Sequence, residues 1–417
     1  MKKMLILGKA QANKEIIDYA KSAGIYTIMT DSYSIEVNPI KLYADEYWMI
    51  NTEDIAQLEI KCREEHISGV VCGISEFNIE QCMKLCKRLD LPFYCNPSAW
   101  SYSKNKMDFR RLCDRIGAPM ATYYPVSKDM KQRDLDKVKY PCVVKPVDRN
   151  GNRGISFCNN EHELKQAFDY AYSVSNSDEI VVERMLKGQE YYAFYAIAEG
   201  QPSLIAFHTM CSQHGYPYNC YSFLTSDTKE LNHFLDELNP KLLDVLKEVG
   251  CIEGVAWFEF ILDEDNHFYI LEMGYRMNGE LTFLSYEDVC GFNTIKWLVD
   301  ISMGVKHTIS DLPKSQNSAY KKSANVFACW TSEAGIVAKI EGIDTLAAMP
   351  NVHVTFVAQP GDAVDIHRHI GSIVFSCEGY DEKVAILEAI KKNLKVITSE
   401  GKNIVIYFTD YERLKEI

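Results

Sequence analysis

Residues Gly254 to Gly279 read G-V-A-W-F-E-F-I-L-D-E-D-N-H-F-Y-I-L-E-M-G-Y-R-M-N-G. Two apolar runs flank the polar stretch Asp263 to Asn266, which is the pattern of a β-hairpin. An even-length turn centred on Glu264 and Asp265 would set Glu259 opposite Ile270 and Trp257 opposite Glu272. Glu259 and Glu272 would then share a face as diagonal neighbours, with Cβ atoms about 7 Å apart. Each glutamate interrupts a run of Trp, Phe, Ile and Leu, and two carboxylates on a half-buried face repel unless a cation lies between them. Hard divalent cations with oxygen ligands fit, above all Mg²⁺ shared with nucleotide phosphates. The bland alternative is the solvent-facing side of an edge hairpin. Arg276, just beyond Glu272, adds a fixed cation where negative charge would develop.

Upstream, Tyr140 to Phe157 reads Y-P-C-V-V-K-P-V-D-R-N-G-N-R-G-I-S-F. Pro146 biases Lys145 to extended backbone, so one lysine lies inside an apolar strand. Asn150-Gly151 is a hairpin signal, and by itself the segment is read as an ordinary turn beside a surface lysine. Its functional reading is a loop whose N–H groups around Gly151 and Gly154, with Arg153, close over a polyphosphate that Lys145 also reaches. Ile180 to Tyr192, I-V-V-E-R-M-L-K-G-Q-E-Y-Y, predicts two strands about a turn at Lys187-Gly188, with Glu183 and Glu190 flanking it. Taken alone, both would be solvated carboxylates.

Further out, Met4 to Leu7, a helix from Asn13 to Ala23, Ile25 to Met29 and Gly69 to Cys72 predict a parallel open α/β sheet over residues 1–95. The Gly8-Lys9-Ala10 turn lacks the G-x-G-x-x-G spacing of a dinucleotide site. Residues 96–305 mix helices with hairpin signals and predict an α+β domain. Residues 306–417 predict a small β-rich domain with strands at Asn325 to Trp330, Ile336 to Ile340, Val352 to Val357, Gly371 to Ser376 and Ile404 to Phe408, and a helix from Asp381 to Leu394.

The net charge of −13 argues against a phosphate-backbone binder, so no nucleic-acid partner is expected. The apolar run at the N-terminus ends by Lys9, too short for a secretory segment, and no stretch suits a membrane span. A cytoplasmic chain is expected. The 14 cysteines contain no C-x-x-C pair, and Cys82 and Cys86 read as buried helix thiols. His367 and His369, alternating on an expected strand, are read as exposed side chains rather than metal ligands. The aromatic stretch His214 to Phe223 reads as a surface loop packed by its own tyrosines, its alternative being the border of an acceptor pocket.

In this order the segments resemble the ATP-grasp superfamily of the carboxylate-amine ligase type, with the organisation of biotin carboxylase, carboxyaminoimidazole ribonucleotide synthetase, the carbamoyl-phosphate synthetase large subunit and the L-amino-acid ligases. The resemblance implies ATP and Mg²⁺ as cofactors, with Mn²⁺ able to substitute. It implies that Lys106, with Lys104 as its rival, and Lys145 bind phosphates under a flap at Asn150 to Gly154. Glu183, Arg184 and Leu186 would meet adenine, Glu190 the ribose, Glu259 and Glu272 the metal, and Arg276 the reacting acyl centre. One departure is Gly274, which stands where the family usually has Asn or Asp; water or Asn278 would then complete the metal shell.

The implied reaction phosphorylates a small-molecule carboxylate, and an amine (or a thiol) then displaces phosphate, leaving ADP and phosphate. A carboxylating synthetase that activates bicarbonate and a non-catalytic ATP-binding regulator are the alternatives. A homodimer is among the assemblies the resemblance allows.

Overall fold

The computed structural model describes residues 1–148, 154–216, 218–225, 228–314 and 320–415. Lys3–Leu7, Tyr26–Thr30, Glu46–Trp48 and Gly69–Cys72 pair in parallel as one sheet, with Lys3–Leu7 between Tyr26–Thr30 and Gly69–Cys72. Helices cover these strands, so Met4 to Leu7 are inaccessible and read as an unbroken apolar run rather than an alternating one. Cys82 and Cys86 are buried in the helix Glu76–Leu89, capped by Ser75, which leaves the carboxyl end of Gly69–Cys72 and brings Glu76 to its first turn.

The main sheet has eight strands: Phe268–Gly274, Gly254–Asp263, Gly188–Ala198, Gln201–Ser212, Asn219–Leu224, Ser323–Trp330, His369–Cys377 and Val352–Phe356, in that spatial order. All its pairings are antiparallel. It runs across the boundary drawn from sequence at residue 306. One face is apolar: Phe207 packs on Phe234 at 4.8 Å between ring centres, and Phe234 stacks on Phe260 at 5.1 Å, so the helix Lys229–Glu237 is held there. The opposite face carries polar side chains and holds the candidate site.

A separate sheet places Cys142–Pro146 between Ser156–Cys158 and Ile180–Arg184. The helix Glu161–Val174 closes its own small core through Leu164, Phe168 and Ala171. Ile180–Arg184 and Gly188–Ala198 are the two strands expected about the turn at Lys187-Gly188; they lie in different sheets, and the short link between them joins the small sheet to the large one. In the C-terminal region Gly335–Glu341 pairs with Lys395–Thr398 and Ala363–Val364.

The strand expected at Ile404 to Phe408 is absent. Ile404 N–H donates to the Val396 carbonyl and Ile406 N–H to the Trp330 carbonyl, each at 3.0 Å. Because the segment divides its bonds between two neighbours, it makes isolated bridges and no continuous ladder. Among the described residues no helix is long and apolar enough to cross a membrane.

Candidate active site

The central hairpin differs from the register expected from sequence. Asp263 N–H donates to the His267 carbonyl at 3.0 Å, and Asn266 takes a φ of +60°, so the loop is the three residues Glu264 to Asn266 rather than an even-length turn. Beyond it the register shifts once more, because Leu271 has no partner opposite it. Glu259 consequently faces Glu272 directly, and Trp257 faces Gly274. The carboxylates are cross-strand neighbours, closer than the diagonal placement expected.

This pair is electrostatically strained. Burial first, then Glu272, Glu280 and Glu190, hold the Glu259 carboxyl well above the usual range, and Arg276 only partly opposes them. Lys106 Nζ stands 3.7 Å from Glu272. Lys104 ends the preceding helix and pairs with Glu80 at 2.5 Å, half-exposed. Asn105, between them, caps the helix Lys106–Ile116, and the turn it makes sends the two lysines to different partners.

Lys145, buried in its strand, forms an ion pair with Glu183. Arg110 meets the same carboxylate at 2.5 Å and gives its other N–H to the Ala121 carbonyl at 2.8 Å. Arg184 pairs with Asp263 at 2.7 Å with its guanidinium 5.1 Å from the Tyr269 ring, and Lys187 N–H donates to Asp263 at 2.6 Å. These contacts tie the link between the two sheets to the hairpin loop; Leu186 is buried within it. Glu190, on the main sheet, accepts from the Asn219 amide, and burial pushes its carboxyl up. Gly154 takes a φ of +85° and packs under Pro146 and Val174, where a Cβ would stand 2.7 Å from Val174. Gly151 and Arg153 lie outside the described residues.

Arg276 donates to Glu76 at 2.8 and 3.2 Å and to the Met277 carbonyl at 2.8 Å, which ties the segment after the hairpin to the helix Glu76–Leu89. Its guanidinium lies 5.2 Å from the Trp257 ring, which stacks on Tyr192 at 5.8 Å. Trp257 explains Gly274. A Cβ at Gly274 would stand 2.3 Å from Trp257 Cε2 and 2.5 Å from Nε1, so the indole fills the space a side-chain ligand there would need. Asn278 is buried, and its Oδ1 accepts from the Thr282 hydroxyl at 3.2 Å.

Sequence reasoning did not single out Glu280, Tyr192, Trp257, Arg110 or Glu76 as site residues. Burial, then Glu190, pushes the Glu280 carboxyl up to about 7, with a hydrogen bond from Ser222 opposing. Tyr192 lies opposite both Glu259 and His208, which puts the three on one sheet face. Among the described residues Trp257 Nε1, Tyr192 Oη and His208 Nδ1 are buried without hydrogen-bond partners. Three unmet groups beside a carboxylate pair mark a surface completed by a polar ligand, since each is costly to leave unmade. Glu280, one residue past the quoted stretch, had a detectable signal in sequence as a lone acid before the apolar Leu281 to Leu284.

Among the described residues no group of three or more His, Cys, Asp or Glu forms a self-sufficient metal cage. The facing glutamates suit Mg²⁺ nonetheless, because that ion is commonly held by one or two carboxylates plus phosphate oxygens and water. His367 and His369 do not alternate on a strand as expected: His367 sits in a turn at a φ of +58°, while His369 opens a strand half-buried, its imidazole pushed down to about 4 by burial.

Residues 105–309 match the family described as carbamoyl-phosphate synthase L chain, ATP binding domain. The formate-dependent phosphoribosylglycinamide formyltransferase of Bacteroides thetaiotaomicron is 27% identical over 283 residues, covering 66% of this chain and 71% of that protein. The 2-oxoglutarate carboxylase small subunit of Hydrogenobacter thermophilus is 23% identical over 342 residues, covering 73% of this chain and 67% of the relative. In fold, the chain is similar to the L-amino acid ligase of Bacillus licheniformis, with a TM-score of 0.76, 18% identity and coverage of 96% and 99%. It is also similar to the phosphoribosylglycinamide synthetase of Anaerococcus prevotii, with a TM-score of 0.70, 19% identity and coverage of 95% and 100%.

Proposed function

We infer, from the match of residues 105–309 to the carbamoyl-phosphate synthase L chain ATP binding domain, that this chain is an ATP-grasp enzyme, an ATP-dependent ligase joining a small-molecule carboxylate to an amine through an acyl phosphate. The observation that carries this reading is the facing pair Glu259 and Glu272 with Lys106 at 3.7 Å. Burial and the facing Glu272 hold the Glu259 carboxyl above its usual range, and a divalent cation between the two carboxylates would relieve that.

Glu259 and Glu272 would hold Mg²⁺, which when bound offsets charge on the transferred phosphoryl group. Lys106 faces the same place from the helix side. Lys145 would exchange its contact with Glu183 for a phosphate oxygen, and Arg110 would keep that carboxylate paired when it does. Adenine would lie at Arg184 to Leu186 against main-chain groups, and Glu190 would accept from the ribose hydroxyls. We read Gly151, Arg153 and Gly154 as the covering flap. The catalysis is largely positioning and electrostatics.

In the second half-reaction the amine attacks the acyl carbon, the C–N bond forms, and phosphate leaves. Arg276, held by Glu76, is positioned to stabilise the tetrahedral oxyanion. Glu280, near neutrality in pKa, is matched to take the amine proton. Small molecules are the proposed substrates and the cytoplasm the proposed setting. The test is a phosphate-release screen with paired carboxylates and amines, bicarbonate included, run beside Glu272→Gln. Phosphate that needs both substrates and vanishes in the variant supports the reading; equal release by Glu272→Gln would refute it.

A further inference from the structure

A cavity of about 270 Å³ lies between the end of the strand Asn219–Leu224, the segment Tyr320 to Ser323 and the start of the helix Gly379–Asn393. Lys383 lines it and is only 9% exposed. Among the described residues its ammonium has neither an ion pair nor a hydrogen bond; it stands 4.0 Å from the centre of the Phe223 ring. A buried cation of this kind is costly unless something anionic completes it.

The surroundings add to that demand. Lys321 and Lys322 line the same cavity, and among the described residues Lys322 alone of the two is in an ion pair, with Asp288 at 2.7 Å. Gly379 and Tyr380 bring the first turn of a 15-residue helix to the wall, and its N-cap residue, Glu378, makes no side-chain capping bond. Free N–H groups and the positive end of the helix dipole favour an oxyanion. Of the acids nearby, Glu382 accepts from the Glu378 N–H at 2.6 Å and Asp288 pairs with Lys322.

We propose that this cavity binds the phosphate group of a small molecule, with Lys383 as its buried counter-ion and Lys321 as its exposed one. Burial already pushes the Lys383 ammonium down, which a bound anion would reverse. The site would sit behind the active one on a shared strand, because Asn219–Leu224 carries Asn219 and Ser222, the partners of Glu190 and Glu280.

The experiment is calorimetric titration with inorganic phosphate of the full chain saturated with Mg²⁺ and a nonhydrolysable ATP analogue, so that the nucleotide site is filled. Wild type should take up phosphate saturably, Lys383→Met should bind it roughly tenfold more weakly or worse, and Lys383→Arg should retain it. Nucleotide affinity should be the same in all. Lys321→Gln, at an exposed position, provides an independent partial loss in case the buried substitution disturbs folding, and phosphate should raise the melting temperature of wild type more than that of Lys383→Met. No saturable uptake by wild type would overturn the proposal. So would equal binding by Lys383→Met and Lys321→Gln, which would mark an adventitious ion only.

Discussion

Replacing Gly274 by Asn would be the natural way to restore the side-chain ligand usual at that position, and the structure predicts that it fails. The obstacle is not the backbone, since Gly274 does not occupy the positive-φ region. It is the indole of Trp257, whose Cε2, Cζ2 and Nε1 would lie 2.3, 2.4 and 2.5 Å from the new Cβ. The ring cannot easily retreat: it is 5% exposed, stacks on Tyr192 at 5.8 Å and faces the Arg276 guanidinium at 5.2 Å. Overpacking of this kind costs about 1–3 kcal/mol, and three clashing ring atoms put this case near 3 kcal/mol. Gly274→Ala should show most of the cost, because the clash begins at Cβ. Urea unfolding would measure it, and Trp257→Ala with Gly274→Asn should be less damaging than the separate costs added together, by about 1–3 kcal/mol. If Gly274→Asn unfolds at the wild-type urea concentration, the indole does not fill that space and the account of Gly274 is wrong.

Two further outcomes follow from the same electrostatics. Lys145→Met should weaken a nonhydrolysable ATP analogue by roughly tenfold or more in calorimetry, since it removes a charge-assisted bond in a semi-enclosed site; unchanged affinity would remove Lys145 from the phosphates. Glu280 holds its proton up to about pH 7 when folded, against an ordinary 4.5. Its contribution therefore favours the fold most below the ordinary value and is lost as pH rises through about 7. The nucleotide-free chain should melt at a lower temperature at pH 8 than at pH 6, and Glu280→Gln should flatten that slope; an unaltered slope in the variant would place the titration elsewhere.

The carboxylate pair was legible because each glutamate breaks a run of large apolar residues, a cost that local sequence makes visible. Its register was not. Register depended on Asn266 adopting a left-handed conformation and on the unpaired Leu271, and a hydrophobic pattern specifies neither. The parallel strands of the first 95 residues were recognisable from short apolar runs ended by turn residues. The two strands of Ile180 to Tyr192 were legible about Lys187-Gly188, but their placement in different sheets was not, because it involves long-range contacts such as that of Lys187 with Asp263. Arg110 and Glu76 act through partners 73 and 200 positions away, so no spacing rule could find them. Trp257 reads as a core residue in any hydrophobic pattern, and only its opposition to Gly274 gives it meaning.

The acyl phosphate itself is open to direct observation. Once the screen has found a carboxylate and amine that support turnover, the carboxylate can be supplied with heavy oxygen and the released phosphate examined by mass spectrometry. Attack of the carboxylate on the terminal phosphorus, followed by displacement by the amine, must carry a labelled oxygen into the phosphate, with ADP as the other product. Unlabelled phosphate, or AMP and pyrophosphate in place of ADP and phosphate, would contradict the mechanism.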